Sequence, residues 1–324
     1  MAADQRLNRL DMQKAASASA ARSPLQRRLA LMGHRARRLH PNIKGMLWAL
    51  SSGVMFVLLN TQLRVLSSQL HPLQVQFLRY LVAIGVMLPL IARSGVAAFI
   101  PKRTGGQFTR GAVHTLGLML WFVALAKIPM AQTTAMSFTQ PVFIMLGAYV
   151  FFHEAMRWER WAAATMSFAG VLVIAGPNFA GNGGIYSVMM LASSPIFAAS
   201  YLLTKALTRH ERVEVIVLWQ AISVSIFSLP MALWFWQSPS ALQWLGFLVA
   251  GILGVLGHYS LTRAFSATDI SASQSVKFLD LVWASAMGWL AFGEIPSHYT
   301  LIGGALICVA TVWIGLRESR RNGR

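Results

Sequence analysis

Residues 45–64 read GMLWALSSGVMFVLLNTQLR, twenty positions whose only charge is the terminal Arg64. A helix of this length rises about 30 Å, the thickness of the hydrocarbon core of a bilayer. The whole chain follows the same trend, because 56% of its 324 residues are hydrophobic and only 12% are charged. A soluble domain of this length does not need so much apolar surface. The stretch therefore predicts a membrane-spanning helix.

Nine further apolar runs of similar length follow along the chain, each bounded by charges, Pro or Gly. A helix satisfies all of its own backbone hydrogen bonds, so it is the structure expected of such runs in lipid. The prediction is an all-α membrane protein of ten transmembrane helices, at 45–64, 72–92, 111–128, 131–152, 158–176, 185–205, 213–236, 242–264, 270–292 and 298–316.

The remaining segments are short. Residues 1–43 form an Arg-rich tail with few large apolar side chains, for which we predict disorder and no signal peptide. Residues 317–324 form a second basic tail. The single Cys308 falls inside the last predicted helix, so we predict no disulfide, no metal site and no cofactor.

The basic residues are distributed unevenly between the two sides of the predicted helices. With the N-terminus inside, 24 of the 28 Lys and Arg residues fall on the cytoplasmic side, and only Lys127 falls in an outer loop. Lys and Arg near helix ends are retained in the cytoplasm. We therefore predict both termini cytoplasmic, in the inner (plasma) membrane. The net charge of +18 then predicts no nucleic-acid partner, only contact with the lipid bilayer.

An internal repeat divides the chain into two halves of five predicted helices, residues 44–176 and 184–316. Matching residues are separated by 140 positions, drifting to 142 near the start of each half. Five is an odd number, so the second half enters the membrane from the opposite side. Inverted repeats of this kind predict a transporter whose solute binds near the midplane between the halves. The matching segments are Ser51-Ser52-Gly53 with Ser193-Ser194-Pro195, Ala124-Leu125 with Ala264-Phe265, and Phe152-His153-Glu154 with Phe292-Gly293-Glu294.

Several short motifs follow one another along residues 44–316. They are Phe77-Leu78-Arg79-Tyr80, Ala124-Leu125-Ala126-Lys127-Ile128-Pro129, Gln140-Pro141-Val142-Phe143, Phe152-His153-Glu154, Gly257-His258, Arg263-Ala264, Leu281-Val282-Trp283-Ala284, and Phe292-Gly293-Glu294 with Pro296. Their order resembles the drug/metabolite transporter superfamily, in its EamA-type branch of ten-helix solute carriers. The resemblance implies an inner-membrane permease with a central cavity. It also implies transport of amino acids or metabolites, often outward.

Asp280 and Lys277 are charged residues near the middle of the ninth predicted helix. An unpaired carboxylate at that depth costs several kcal/mol, so Asp280 must have a partner or a proton. Lys277 lies three residues earlier on nearly the same face of the helix. We expect either a pair that fixes helix packing or a solute contact that offers both signs of charge.

Other polar residues inside the predicted helices are weaker candidates. A structural role and a solute-binding role are equally expected for Arg79. Arg64 is expected to anchor its helix at the membrane–water interface. A histidine side chain can titrate near neutral pH, which makes His258 a candidate for solute binding. We expect instead a buried, neutral ring that is hydrogen-bonded to a carbonyl group. The further candidates for solute contact are Trp121, Gln140, Gln274, Asn60, Ser52 and Ser194.

Gly53 and Pro195 occupy corresponding places in the two halves, each after two serines. Paired interruptions of this kind expose backbone groups to a solute, although Ser hydroxyls or neighbouring helices can satisfy them instead. Pro141 predicts an unpaired kink, since Leu281 stands opposite it. Gly251, Gly254 and Gly257 predict close helix contacts.

Glu154 and Glu294, the acidic residues of the repeated motif, fall between two predicted helices. An acidic side chain there stabilises the positive end of the next helix by about 0.3 to 1 kcal/mol. We expect that structural role rather than contact with a solute.

A secondary transporter of a small organic solute, working by alternating access, accounts best for these features. We expect a metabolite or amino-acid-like solute and favour export; uptake of a vitamin, nucleoside or carboxylate is the alternative. A membrane-embedded enzyme is a remote alternative, because we find no convergent catalytic residues. Neither rings of like charge typical of a channel nor an ATP-binding loop is present in the sequence. Formation of a homodimer is left open.

Overall fold

The computed structural model describes residues 41–128, 133, 136–137, 139–154, 158–175, 184–270, 273, 276, 279–295 and 297–322. Within these ranges the regular structure is helical. The α-helices are α1 (Pro41–Ser67), α2 (Pro72–Ser94), α3 (Thr104–Leu125), α4 (Thr139–Phe152), α5 (Trp158–Ala175), α6 (Gly184–Leu207), α7 (Val213–Trp234), α8 (Ala241–Ala267), α9 (Asp280–Phe292) and α10 (His298–Asn322).

Six of these helices, α1, α2, α3, α6, α7 and α8, are long and apolar enough to cross a membrane. The other four contain shorter apolar segments of 10–17 residues. Many large apolar side chains on the helices are exposed, as expected where lipid replaces water. The chain is therefore a helical, multi-pass membrane protein.

Several predicted helix boundaries differ from those of the structure, and two of them change how charged residues are assigned. Helix α3 begins at Thr104, seven residues before the predicted start, and therefore includes Arg110, the charged residue that directly precedes the predicted apolar run. Arg110 is 1% exposed within α3, so it does not belong to the cytoplasmic charges. Helix α10 continues to Asn322, into the segment predicted as a basic tail. Residues 1–40 of the predicted N-terminal tail lie outside the described residues.

The helices α1 and α6 are continuous through Gly53 and Pro195. The predicted helix interruptions are therefore not found at these two positions. Gly53 allows α9 to approach α1, and Pro195 lacks only its own N–H within an otherwise regular helix. Pro141 lies within the helical segment Thr139–Phe152, and it borders the cavity described below.

Glycines set the closest helix contacts, as predicted for α8. Gly251 faces Val82 of α2, and Gly257 faces Phe56 of α1. Glycines Gly170 of α5 and Gly303 of α10 each lie against the other's carbonyl oxygen, so a methyl group on either would overlap with backbone. These contacts confirm the prediction that small residues permit close approach.

Some of these contacts recur at the spacing of the sequence repeat. Gly117 of α3 lies against Phe197 of α6, while Gly257 of α8 lies against Phe56 of α1. Likewise Gly111 of α3 meets Ser223 of α7, while Gly251 of α8 meets Val82 of α2. Each glycine pair is 140 residues apart, and its contact partners are 141 apart.

Helices α4 and α9 end with the same backbone turn. His153 and Gly293 have positive φ angles of 54° and 65°, the left-handed conformation that ends many helices. The N–H of the next residue, Glu154 or Glu294, then donates to a carbonyl six residues back, at 3.2 Å and 3.1 Å respectively. Because glycine has no Cβ, this turn is easier for Gly293 than for His153.

Candidate functional site

A cavity of about 150 Å³ lies between the helices of both sequence halves. It is bordered by side chains of α1, α2, α3, α4, α6, α8 and α9, together with Thr133 and Ser137. The lining is Phe56, Val57, Leu59, Asn60, Leu63, Arg79, Tyr80, His114, Leu118, Trp121, Thr133, Ser137, Gln140, Pro141, Phe197, Tyr201, His258, Leu261 and Asp280.

The structure brings most of the predicted site residues to this one cavity. Ser52 and Ser194 are buried, at 0% and 1% exposure, but do not border it. Lys277 and Gln274 lie outside the described residues, so the structure does not describe the Lys277–Asp280 pair. The predicted residues that border the cavity are Asn60, Arg79, Trp121, Gln140, Pro141, His258 and Asp280.

Asp280 is positioned by a close crossing of α9 and α1. Its side chain is buried, and a Cβ added to Gly53 would overlap with its carboxylate oxygen Oδ1. Gly53 is therefore the residue that makes room for the carboxylate. This contact explains why the small residue stands in the middle of α1, where glycine otherwise weakens a helix.

Arg79 supplies a buried cation at the side of the cavity formed by α2. The residue is 3% exposed, and its Nη2 lies 3.2 Å from Nε2 of His258 on α8. Its guanidinium also lies 4.3 Å from the ring centroid of Tyr80. Gly254 of α8 leaves space for this group, because an added Cβ would lie 3.1 Å from Nη2. Among the described residues no carboxylate forms a salt bridge with Arg79.

Tyr80 joins the two histidines of the cavity. Its hydroxyl lies 3.1 Å from Nε2 of His114 and 3.4 Å from Nε2 of His258. On the other side of the ring, Nδ1 of His114 lies 3.0 Å from the Ser200 hydroxyl on α6. These contacts connect α2, α3, α6 and α8, so the polar side chains can hold one another in place.

Arg110 lies beside this network in the part of α3 that was predicted as loop. Its guanidinium donates to the hydroxyl of Thr204, the backbone carbonyl of Ile216 and the amide oxygen of Gln220. Gln220 in turn approaches the Tyr80 hydroxyl at 3.5 Å. Hydrogen bonds to dipoles thus compensate the buried charge of Arg110.

Aromatic rings form much of the remaining wall. Phe56 stands edge-on to His258, and Phe197 stands edge-on to His114, with centroid distances of 4.9 Å and 5.2 Å. Trp121 and Tyr201 also border the cavity, and Tyr201 neighbours the amide of Gln140. The cavity therefore offers flat apolar surfaces beside hydrogen-bonding groups, the combination that positions organic ligands in proteins.

Several of these residues were missed by sequence reasoning. Tyr80 was noted only as part of a motif, and His114 and Tyr201 were not selected. Their helical spacing held a signal, since His114 is one turn from Arg110 and seven residues from Trp121, on one face of α3. A polar face on an apolar helix points towards a cavity rather than towards lipid.

Glu154 and Glu294 lie away from the cavity and contact elements of the opposite half. Oε1 of Glu154 accepts a hydrogen bond from the backbone N–H of Ile270 at 3.1 Å. Glu294 forms an ion pair with Arg64 at 2.6 Å. The predicted interaction with the next helix does not account for these contacts, and Arg64 has an ionic partner instead of acting only as an interfacial anchor.

Comparison with known proteins gives the family. The EamA-like transporter family matches residues 43–176 and again residues 184–316. The chain belongs to this family. In this EamA-like protein the double match coincides with the two halves found in the sequence.

Among the described residues no group of three His, Cys, Asp or Glu side chains could hold a metal ion.

Relatives of this EamA-like protein are named as transporters. A riboflavin transporter of Rhizobium johnstonii is 34% identical over 86% of this chain and 93% of its own length. An S-adenosylmethionine uptake transporter of Rickettsia prowazekii is 27% identical over 86% and 94%. A pseudopaline exporter of Pseudomonas aeruginosa is 27% identical over 83% and 94%.

The fold has also been seen in a crystal structure. That chain is 20% identical and superposes with a TM-score of 0.67, covering 84% of this chain and 98% of its own length. The likeness concerns the fold alone. Together, the family and the named relatives identify this chain as a membrane transporter of small solutes and not as an enzyme.

Proposed function

We propose that this protein is a secondary transporter that binds its solute in the central cavity and works by alternating access. The observation that carries the proposal is the convergence of Arg79, Asp280, two histidines and several aromatic rings on one buried cavity. Charged groups inside a membrane protein are costly, so a cluster of them at one place indicates a solute pathway.

The proposed architecture is a pair of inverted five-helix repeats. The family matches twice, and the glycine contacts of α3 and α8 recur at a spacing of 140 residues. An odd number of membrane crossings in each half requires that the halves have opposite orientation. In such transporters the two halves rock around a site between them.

We propose that the protein lies in the inner (plasma) membrane. Both of its termini are then on the cytoplasmic side. With Arg110 assigned to α3, 23 of the 28 Lys and Arg residues remain on the proposed inner side. Removal of one charge does not change the direction of so large a bias. A cysteine-labelling map of the two termini in intact cells would test this orientation.

The solute that suits the cavity best has a flat heteroaromatic ring and a hydroxylated sugar-like group. Riboflavin, with its ribityl chain, and S-adenosylmethionine, with its ribose, are named for two relatives and both have these two parts. Phe56, Trp121 and Tyr201 offer ring surfaces, and Asn60 and Gln140 offer hydrogen bonds. We therefore propose uptake of such a compound and take riboflavin as the first probe, in preference to the export expected from sequence.

The size of the cavity implies movement during binding. A cavity of about 150 Å³ accepts a molecule the size of benzene, whereas ligand sites commonly measure about 300 to 1,000 Å³. Riboflavin therefore requires the two halves to separate before it can bind. The structure corresponds, in this proposal, to a contracted state of the cycle.

A zwitterionic solute is the second candidate, because Arg79 and Asp280 offer opposite charges to the same cavity. S-adenosylmethionine has a sulfonium cation, an ammonium group and a carboxylate, whereas riboflavin is neutral near pH 7. The two candidates therefore differ in their dependence on Asp280. Asp280→Asn should weaken transport of a cationic solute much more than transport of riboflavin.

Uptake by a bacterial strain that cannot make riboflavin tests the proposal. Expression of this protein should restore growth at low external riboflavin and should give saturable uptake of the labelled vitamin. S-adenosylmethionine, nucleosides and amino acids are then added as competitors. Saturable uptake of labelled S-adenosylmethionine, with no riboflavin uptake at full expression, would favour the second candidate. No saturable uptake of any labelled compound would contradict both.

A further inference from the structure

The first charge pair connects the two halves of the chain at the end of α1. Arg64 lies 2.6 Å from Glu294, the residue that follows the left-handed turn after α9. The Arg64 guanidinium also lies 4.5 Å from the ring centroid of Phe292. Both charged side chains are about one-fifth exposed. We call Arg64 and Glu294 the α9 latch.

A second group of charges connects the halves at the end of α6. The ammonium group of Lys205 donates to the backbone carbonyls of Phe265 and Thr268, both at 2.7 Å. Glu154 follows the left-handed turn after α4 and accepts from the N–H of Ile270. Its carboxylate is close enough to Lys205 for a favourable electrostatic interaction. We call Lys205 and Glu154 the α4 latch.

The two latches are equivalent in sequence. Glu154 and Glu294 are 140 residues apart, and Arg64 and Lys205 are 141 apart. Each acidic residue follows a helix that ends with the same left-handed turn, so each carboxylate leaves its helix in the same way. Each basic residue lies in the last turn of its helix. In both latches the acid and the base come from different halves.

Contacts along α1 place the latches on opposite sides of the cavity. Gly45, near the start of α1, lies against Thr268, which is bonded to Lys205. Arg64 is nineteen residues further along the helix, about 29 Å by the rise of an α-helix. This distance equals the thickness of the hydrocarbon core. Phe56 and Asn60, which border the cavity, lie between these positions.

We infer that the α9 latch and the α4 latch are the gates of the transporter, one at each mouth of the cavity. The inference rests on the proposed alternating access, because rocking of the halves must separate one mouth while the other stays closed. A partly exposed ion pair such as Arg64–Glu294 shifts an equilibrium by no more than about fivefold. Such a pair holds a mouth closed and still opens without a large barrier.

A reporter thiol in the cavity tests the inference without any solute. Asn60→Cys is introduced into the full-length chain together with Cys308→Ser, because Cys308 is the single natural cysteine. Right-side-out and inside-out vesicles are then treated with a membrane-impermeant thiol reagent. Glu294→Gln should increase the labelling rate about two- to fivefold from the face of the α9 latch. Glu154→Gln should do the same from the opposite face.

Glu214→Gln is the matched control, since Glu214 pairs with Arg212 in the same segment at 3.6 Å and connects no two halves. It should leave both labelling rates unchanged. Exchange of the charges, Arg64→Glu with Glu294→Arg, should restore the wild-type rate and would show that Glu294→Gln did not act through misfolding. Increased labelling from one and the same face by both Gln variants, or no change by either, would overturn the inference. Labelling needs no substrate, so failure of riboflavin uptake would refute the proposed solute without affecting this result.

Discussion

Substitution of Gly53 by Ala tests the contact that positions Asp280. The new methyl group would overlap with the carboxylate oxygen Oδ1, so α1 and α9 must separate or the carboxylate must turn away. Overpacking of this kind costs about 1 to 3 kcal/mol. Replacement of a mid-helix glycine by alanine contributes about 1 kcal/mol of stability in the opposite direction. The expected net change is a loss of about 0 to 2 kcal/mol.

Gly85→Ala supplies the comparison that separates the two effects. Gly85 lies within α2, and a Cβ there would have no neighbour within 4 Å. This variant should therefore be equal to or more stable than the wild type by up to about 1 kcal/mol. Unfolding in detergent and uptake of labelled solute would both be measured. If Gly53→Ala matched Gly85→Ala in stability and in transport rate, the assigned role of Gly53 would be wrong.

Three further substitutions address other parts of the structure. Gly293→Ala should destabilise the protein by about 1 kcal/mol, because the residue has left-handed backbone angles, and a shift in the denaturation midpoint would measure it. Arg110→Lys should lower the free energy of unfolding by about 2 kcal/mol and slow transport, because one ammonium group cannot reproduce the three hydrogen bonds of a planar guanidinium. Unfolding in detergent measures the change in stability. Wild-type stability and transport in this variant would contradict the prediction. Burial lowers the pKa of His71, which stacks on Phe235 with ring centroids 3.7 Å apart and accepts from the N–H of Leu73. The folded state thus favours the neutral form of His71. The stability that this residue contributes is present above about pH 6.5 and should be lost as the pH falls below that value. His71→Asn, which keeps a capping acceptor, should flatten the melting temperature between pH 7.5 and 5.5, with the wild type measured alongside.

The helices were predictable from sequence because their apolar runs are long and are interrupted by few charges. The predicted start of the second helix, residue 72, agrees with α2, where Pro72 follows the capping residue His71. The start of α3 was missed for an equally physical reason. A charge ends an apolar run in a sequence, yet Arg110 stays in its helix because α6 and α7 supply acceptors.

The cavity was partly predictable, since polar residues within apolar helices point away from lipid. Asp280, Arg79 and His258 were found in this way and border one cavity. Tyr80 and His114 were missed because neither residue is unusual in a helix by itself. Only the crossing of α2, α3 and α8 shows that Tyr80 lies between two histidines.

The repeat predicted which segments correspond, but not what their acidic residues contact. Glu154 and Glu294 follow the ends of α4 and α9, which suggested interactions with the next helices. Their described partners, Ile270 and Arg64, come from the opposite half of the chain. Contacts between distant segments depend on how the halves pack together. A short sequence motif does not predict that packing.

The most direct test of the central claim is the initial rate of labelled riboflavin uptake into proteoliposomes that contain the purified protein. The wild type should show saturable uptake. Arg79→Gln should reduce it at least tenfold, because Arg79 borders the cavity and no carboxylate among the described residues forms a salt bridge with it. Gly85→Ala should transport at the wild-type rate. Equal rates for the wild type and Arg79→Gln would contradict the assignment of this cavity as the solute site.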